Sequence, residues 1–414
     1  MSTVVPQKFP LDLPARQDIA LTVPLEKAYR DANRAPARAV RAEFPFGGEG
    51  WIITKYEDVK EVLSDPRFGL EIVKTLGDHP RIRQIELGPP FPPSFNEYDG
   101  PKHAEKRQML MKHLTVKRVR ALIPATEAIV AAQLDEMETV GNPVDVAEHF
   151  ARLVPVLVFG HLLGIPREEH PRFLGEAQQF GNARASSPEE AAKGLLVLKA
   201  YFKELVARRR ENPGDDLISA LIADTETLGR WTESELDAIG MVLLMAGHDA
   251  TAAMLGGTLE WLSHGPELYA RLRADPDSFP RAFEEFLRFI PAGLAGTRTR
   301  IALEDVDLDG VTIRKGESVL AIVHAANFDD AVYPDPDRLD VDRPVGEPHV
   351  AFGHGPHACV GQQLARMEIQ VAVKAVLARY PSFTNTDTDP DWATRRLLRG
   401  PASVNVRWTR EEDR

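Results

Sequence analysis

Apolar positions recur with helical spacing along most of the stretch from Lys102 to about Glu285, which predicts a mostly helical zone. Its clearest helix is predicted to begin at a capping box, in which Thr232 and Glu235 satisfy each other's end donors. From there the chain is apolar nearly all round as far as Leu262. About 30 residues give a helix roughly 45 Å long, and such a surface predicts a position in the core.

Strand-like patterns lie on either side of this zone. The segment 50–56 predicts a short strand that is followed by a helix over 57–63. Segments 311–316 and 318–323 are expected to form a hairpin or strand pair, and 362–380 a strong helix. The sequence therefore predicts a mainly α protein with a smaller β portion.

Chain organisation is expected to be simple. There is no repeat and no long linker, so residues 1–414 are predicted to form one domain, with a loosely ordered segment over 1–20. The segment 67–100 contains the run Gly88-Pro-Pro-Phe-Pro-Pro93, which cannot hold a long helix. A loop of this length is usually functional, and we expect it on the substrate side.

Composition and charge narrow the class of protein. The chain has a net charge of −12, which disfavours nucleic acid as a main partner. A single cysteine, Cys359, excludes a disulfide within the chain. The N-terminus has no signal-peptide pattern, and the longest apolar stretches are shorter than the roughly 20 residues that span a bilayer. These features predict a cytoplasmic, soluble protein without a membrane partner.

The surroundings of Cys359 suggest chemistry. A lone cysteine is most often a buried small hydrophobe. Here three glycines flank it, and a helix is predicted to begin at about Gly361, which would favour the thiolate. A zinc site built from His354, His357 and Cys359 is an alternative, although it has no clear fourth ligand.

The segment Phe352-Gly-His-Gly-Pro-His-Ala-Cys-Val-Gly361 resembles the haem-binding signature of the cytochrome P-450 superfamily, the haem-thiolate monooxygenases. Three further motifs resemble that family in the same order along the chain: His103-Ala-Glu-Lys-Arg107, Ala246-Gly-His-Asp-Ala-Thr251, and Glu285-Phe-Leu-Arg288 with Pro336, Arg338 and Arg343. The resemblance covers residues 51–408 and implies the cytochrome P-450 fold. In that fold the haem is buried between a long distal helix and the cysteine loop.

The resemblance also assigns roles to individual residues. Cys359 would be the axial ligand of the iron in haem b (iron protoporphyrin IX), and Phe352 would pack beside its sulfur. The haem propionates would be held by basic side chains, namely His103, Arg107, His357 and Arg300, with Arg298 as the competitor for the last position.

The distal helix departs from the family pattern. Asp249 matches the acid that relays protons, but Ala250 stands where the family usually has threonine, and Thr251 follows it. Without that hydroxyl, oxygen activation should be leaky unless protons arrive in another way. A substrate hydroxyl could replace it, Thr251 could reach in through a helix bulge, or the reaction could need only hydrogen-atom abstraction. We favour the substrate hydroxyl.

The expected activity is a monooxygenase that hydroxylates a bulky, hydroxyl-bearing natural product of secondary metabolism. The alternatives are oxidative coupling or cyclisation of a cyclic dipeptide or aromatic substrate, and a non-catalytic haem-binding sensor. Electrons would come from a ferredoxin and its reductase. The acidic ferredoxin would dock on the basic side chains Lys102, Lys106, Arg107, Lys112, Lys117, Arg118 and Arg120. Candidate pocket residues are Phe91, Phe95, Tyr98, Leu243, Leu244, Ala246 and Gly247.

Overall fold

The computed structural model describes residues 7–8, 27–43, 49–71, 95–173, 175, 188–229, 231–291, 299–344, 346–387 and 400–411. In chain order, the helices of this part are α1 (Lys27–Arg34), α2 (Tyr56–Ser64), α3 (Gly100–Met111), α4 (Val116–Ala121), α5 (Ile123–Val140), α6 (Leu153–Leu163), α7 (Pro188–Glu211), α8 (Leu217–Leu228), α9 (Glu233–His264), α10 (Pro266–Ala274), α11 (Phe279–Phe289), α12 (Val323–Ala326) and α13 (Gln362–Arg379).

The strands are short. They are β1 (Gln7–Lys8), β2 (Val40–Glu43), β3 (Glu49–Ile53), β4 (Phe68–Gly69), β5 (Val144–Asp145), β6 (Arg300–Ala302), β7 (Val306–Leu308), β8 (Val311–Ile313), β9 (Ser318–Ala321), β10 (Ser382–Asn385) and β11 (Asn405–Thr409). The predicted strand and helix at 50–63 are confirmed as β3 and α2, and the predicted terminal helix as α13. The fold is therefore mainly α with a smaller β portion.

The chain forms two compact units that alternate along the sequence. The first unit comprises 1–84, 96–104 and 281–359, and the second comprises 85–95, 105–280 and 360–414. The expected single domain over 1–414 stays a prediction.

The first unit is built on a six-stranded sheet in the order β1-β2-β3-β9-β6-β4. Strands β3 and β9 pair in parallel, and β6 pairs antiparallel with both β9 and β4. One face of the sheet, with α2, supplies a core of fully buried side chains such as Ile53, Val59, Phe68 and Val319. The α2 members of this core, Tyr56, Val59, Val62 and Leu63, recur at helical spacing, so their burial follows the sequence pattern.

The predicted pairing of segments 311–316 and 318–323 is wrong. Strand β8 pairs antiparallel with β7, and β9 lies in the six-stranded sheet instead. The β7–β8 hairpin turns at Asp309 and Gly310, which both have positive φ, 51° and 89°. An Asp-Gly pair between apolar segments favours this tight turn, because glycine adopts a left-handed backbone without a steric penalty.

The second unit is organised around α9, the predicted long helix. Thr232 is its N-cap, and the predicted capping box with Glu235 is present. The helix packs along α6, α7, α13 and β10. Two glycines allow the closest approaches: a Cβ added at Gly240 would lie 2.3 Å from the ring of Phe202, and one at Gly247 would lie 2.1 Å from the ring of Phe159.

Among the described residues, only α9 is long and apolar enough to cross a membrane. About two thirds of its most apolar window, 65%, is buried inside the protein, as in the core helix of a globular fold.

Candidate active site

The first unit holds a tight loop around Cys359. The backbone N–H of Cys359 donates to the Phe352 carbonyl oxygen at 2.8 Å and closes the loop. Gly353 and Gly355 adopt positive φ values of 74° and 70°. A Cβ at Gly355 would lie 2.7 Å from the Leu63 carbonyl oxygen, so the loop rests directly on the end of α2.

Cys359 itself is exposed. The next helix along the chain, α13, begins two residues after Val360, as the sequence predicted. Within the described residues no group of three His, Cys, Asp or Glu side chains could hold a metal ion. A zinc site from His354, His357 and Cys359 is therefore not supported.

Two histidines of the motifs meet in this unit. The rings of His103 and His357 stack with centroids 3.9 Å apart and an interplanar angle of 22°. His103 is buried at the start of α3, and His357 lies in the cysteine loop. The structure thus brings together two imidazoles that are far apart in the sequence, at a spacing that lets both reach one anion.

Asp99 organises this histidine pair, and sequence reasoning missed it. Its Oδ1 lies 3.6 Å from His357 Nε2, and its Oδ2 accepts hydrogen bonds from the backbone N–H groups of Leu70 and Glu71 at 2.7 and 2.8 Å. Burial acts to raise the pKa of Asp99, but the contact with His357 and the hydrogen bonds from the two backbone groups outweigh it and lower the pKa. The carboxylate therefore stays charged.

Arg300 is a further charged side chain in this unit, and it is buried. It is only 5% exposed, and one of its terminal nitrogens donates a hydrogen bond to the Phe68 carbonyl oxygen at 3.2 Å. Within the described part of the chain its Nε finds no hydrogen-bond partner. Burial lowers the pKa of Arg300, and the charge of Asp99 only partly opposes this. A buried guanidinium with spare donors is suited to a carboxylate ligand.

These observations fit a haem. Cys359 offers a sulfur ligand from a fixed loop, while Arg300 and the His103–His357 pair offer positive or hydrogen-bonding groups for propionates. Phe352, half-buried, lies with its ring centroid 6.2 Å from that of His349. Arg298, which the sequence offered as the alternative to Arg300 at the propionates, lies outside the described residues. Arg107 belongs to the second unit, where it is half-buried.

The Glu285–Arg288 motif forms a buried lock in the first unit. Arg288 donates from Nε and one terminal nitrogen to both Glu285 oxygens at 2.8 Å, and Arg343 Nε lies 3.2 Å from the same carboxylate. The other donors of Arg288 reach the carbonyl oxygens of Asn327, Pro336 and Arg338 at 2.9, 3.0 and 3.3 Å. The predicted association with Arg343 is present.

The distal motif lies in the middle of α9, in the second unit. Helix α9 is α-helical from Glu233 to His264, so the polar interruption introduces no bulge. Thr251 is buried, and its Oγ1 donates to the Gly247 carbonyl oxygen at 2.6 Å. Asp249 and Ala250 are half-buried. The geometry gives no support to the idea that Thr251 reaches in through a helix bulge.

The candidate pocket residues differ in their exposure to solvent. Phe91 lies outside the described residues. Phe95, Tyr98, Leu243 and Leu244 are buried, and Ala246 is exposed.

We expected Gly247 to leave room for a substrate. This expectation is not supported on the side of the helix that faces Phe159. There the ring of Phe159 fills the space beside it.

Comparisons with known proteins place the chain in a family. The family model for cytochrome P-450 matches residues 189–407. The chain is 40% identical to nocardicin C N-oxygenase from Nocardia uniformis subsp. tsuyamanensis over 91% of its length and 94% of the relative's. It is 38% identical to mycinamicin IV hydroxylase/epoxidase from Micromonospora griseorubida, over 89% and 92% of the two chains.

Solved structures agree with this assignment. A variant of the mixed-function P-450 MycG in complex with mycinamicin IV superposes with a TM-score of 0.88 at 36% identity, over 98% of this chain and 100% of that one. The chain therefore belongs to the cytochrome P-450 family. It is a haem-dependent monooxygenase, and its fold is the cytochrome P-450 fold.

Proposed function

We propose that this monooxygenase hydroxylates a bulky natural product in secondary metabolism, in the cytoplasm, with electrons from a ferredoxin system. The observation that carries the assignment of the site is the closed Cys359 loop, which lies in the same unit as the buried Arg300. The similarity to an N-oxygenase and a hydroxylase/epoxidase that act on nocardicin C and mycinamicin IV supports a natural-product substrate.

The residues of the first unit would hold the cofactor. Cys359 would bind the iron through its thiolate, and Phe352 would limit the access of water to the sulfur. Arg300, His103 and His357 would bind the propionates, and the same role for Arg107 stays a prediction from the sequence. The bound haem supplies oxygen activation, which no side chain of the protein can perform.

The residues of α9 would handle protons. Asp249 would deliver them, and Ala250 offers no hydroxyl to hold the water that usually passes them on. Thr251 already donates its hydroxyl hydrogen to Gly247 within the helix. We therefore retain the substrate hydroxyl as the group that completes the relay.

A spectral titration of the ferric protein tests the substrate class. One panel contains hydroxylated polyketides and terpenoids, including mycinamicin IV, and the other contains cyclic dipeptides with aromatic side chains. A blue shift of the Soret band that is lost when the ligand's hydroxyl is removed would support assisted hydroxylation. A shift with cyclic dipeptides alone would favour oxidative coupling, which stays the second candidate because it tolerates the missing threonine.

A variant tests the relay directly. If Ala250→Thr sharply raises the product formed per NAD(P)H with the native substrate, assistance by the substrate is wrong. Loss of the red-shifted Soret band of the carbon monoxide complex in Cys359→Ser, with haem still bound, would confirm the ligand. The sensor alternative has no support among the monooxygenase relatives.

The electron donor is proposed to dock on α4 and its surroundings. Lys106 does not belong to this surface, because it is buried and its Nζ lies 2.8 Å from Glu235 Oε2. Lys112 pairs with Asp224 at 2.6 Å. The basic side chains that remain exposed on α4 are Lys117, Arg118 and Arg120.

Ionic strength and charge reversal test the dock. Reduction by ferredoxin should slow as salt rises, and Lys117→Glu should slow it further. Lys315→Glu, an equal charge change at an exposed position of the first unit, serves as the control. Equal rates in the two variants would contradict a dock on α4.

A further inference from the structure

Helix α9 carries a histidine beside the proposed proton-delivering acid. His248 Nδ1 lies 2.7 Å from the Leu244 carbonyl oxygen, and its Nε2 lies 2.9 Å from Asp249 Oδ1. Both distances are too short for ring carbons, so the orientation of the ring is fixed. Adjacent helix residues point about 100° apart and do not normally face each other. The contact is therefore a specific arrangement of these side chains.

The two contacts together determine where the protons of the His248–Asp249 pair must lie. A carbonyl oxygen can only accept, so Nδ1 must carry a hydrogen. An unprotonated Nε2 opposite an ionised carboxylate would bring two lone pairs together at 2.9 Å. One proton must therefore lie between His248 and Asp249. The pair is either an imidazolium beside a carboxylate or a neutral imidazole beside a carboxylic acid.

The two partners differ in their access to solvent. The side chain of His248 is 8% exposed, whereas that of Asp249 is 36% exposed. A buried imidazolium is costly unless it is paired, and the carboxylate offsets that cost. The shared proton thus sits between a buried nitrogen and an oxygen of an accessible group.

The same helix contains a second histidine, His264, which serves as a reference for His248. His264 Nδ1 lies 3.1 Å from the carbonyl oxygen of Glu260, four positions earlier in the helix. His248 Nδ1 contacts the Leu244 carbonyl oxygen in the same way. Within the described part of the chain, however, the buried Nε2 of His264 has no hydrogen-bond partner. The carboxylate contact is therefore what distinguishes His248.

We propose that His248 and Asp249 share one proton and that this pair is the proton donor of the distal helix, where Ala250 provides no hydroxyl. The proposal rests on the proposed role of Asp249. In delivery, the Nε2–H bond breaks as an Oδ1–H bond forms, and Asp249 then passes the proton to a neighbouring water. The pair is left as neutral imidazole and carboxylate, and a proton from solvent restores it.

Nitrogen NMR of the holoenzyme tests the shared proton without reference to turnover. The sample is the diamagnetic ferrous carbon monoxide form with ¹⁵N-labelled histidine rings, in which His248→Gln and His264→Gln assign the two signals by their loss. We expect His248 Nε2 to give the signal of a protonated or strongly hydrogen-bonded nitrogen, and His264 Nε2 that of a free one. Asp249→Ala should move the His248 signal to the His264 position. A His248 signal that already lies there in the wild type would overturn the proposal.

Coupling measurements test the donor role, with the panel compound that gives the largest spectral shift. His248→Phe and His248→Gln should both lower the product formed per NAD(P)H about tenfold, with more hydrogen peroxide released, because neither replacement carries a transferable proton. His264→Gln should match the wild type. Wild-type coupling in His248→Gln would show that the ring only positions Asp249, and the donor role would be wrong. If the wild type oxidises no panel compound, the proposed substrate class fails, and the NMR result still decides whether the proton is shared.

Discussion

At the scale of single residues, Arg300 shows how a charge can be held in the interior for a ligand. Its guanidinium is buried against one backbone carbonyl, and burial lowers its pKa. Such a group destabilises the chain on its own, because a buried charge without a full set of partners is costly. The same group binds a carboxylate strongly, since the guanidinium is already removed from bulk water and has donors to spare.

Replacing this residue should therefore weaken the hold on the cofactor. Arg300→Met removes one charge-assisted hydrogen bond, worth about 1.5–3 kcal/mol, so the rate of haem loss to apomyoglobin should rise roughly tenfold or more. Arg314→Met is the control, because Arg314 is exposed and pairs with Asp305 in the same unit. Equal rates of haem loss in the two variants would contradict a propionate contact at Arg300.

Some of these residues could be identified from the sequence and others could not. Cys359 stands in a motif whose glycines and spacing constrain it, so a single sequence is enough to find it. Asp99 stands in no motif, and its role depends on backbone N–H groups from 70–71, which only the folded chain brings near. Contacts of this kind leave no local pattern in the sequence.

At the scale of the elements, the start of α9 combines a cap with a buried ion pair. Glu235 Oε2 accepts from the Thr232 backbone N–H at 2.9 Å and lies 2.8 Å from Lys106 Nζ. Lys106 also lies 4.7 Å from the centre of the Trp231 ring. The capping box was predictable from four neighbouring residues, whereas the lysine comes from α3, more than 120 positions earlier.

Breaking this ion pair should destabilise the protein more than breaking a surface pair. Lys106→Met removes the cation that lies against the buried Glu235 carboxylate, so the free energy of unfolding in urea should fall by about 3 kcal/mol. Lys112→Met removes the pair to Asp224, but Lys112 is 42% exposed, and the loss there should be at most about 1 kcal/mol. A loss of similar size in both variants would argue against a tightly buried pair.

The hairpin at β7–β8 shows where periodicity alone misled the prediction. Segments 311–316 and 318–323 both resemble strands and lie close together in the sequence, which suggested that they pair. The turn chemistry at Asp309 and Gly310 favours pairing of β8 with β7. Strand β9 pairs instead with β3 in the six-stranded sheet. Turn residues therefore decide local pairing, while long-range pairing depends on the tertiary fold.

At the scale of the whole molecule, one carboxyl group ties stability to pH. Glu368 on α13 is 1% exposed, and within the described chain neither carboxyl oxygen has a hydrogen-bond partner. Burial raises its pKa well above the ordinary value of 4.5. The folded protein thus keeps a proton on Glu368 over a pH range in which the unfolded chain has released it, and stability falls as pH rises through that range.

The variant Glu368→Gln should remove this dependence. Its free energy of unfolding should match the wild type near pH 4.5, the ordinary pKa, and exceed it increasingly at higher pH. The difference should grow by up to about 1.4 kcal/mol per pH unit until the pKa in the folded state is reached. Urea titrations of both proteins at several pH values measure it, with the exposed Glu267→Gln as the control. A difference that stays constant with pH would mean that Glu368 is ionised in the fold.

The lock at Arg288 has a consequence for how the chain tolerates changes in length. Segment 327–343 contains little regular structure, and such segments usually accept inserted or deleted residues. Here one guanidinium binds three of its carbonyl oxygens, at Asn327, Pro336 and Arg338. Adding or removing a single residue between these points would detach at least one carbonyl from a buried donor. Chimeras between this protein and its relatives should therefore be joined outside 327–343, even though the segment has the look of an ordinary surface loop.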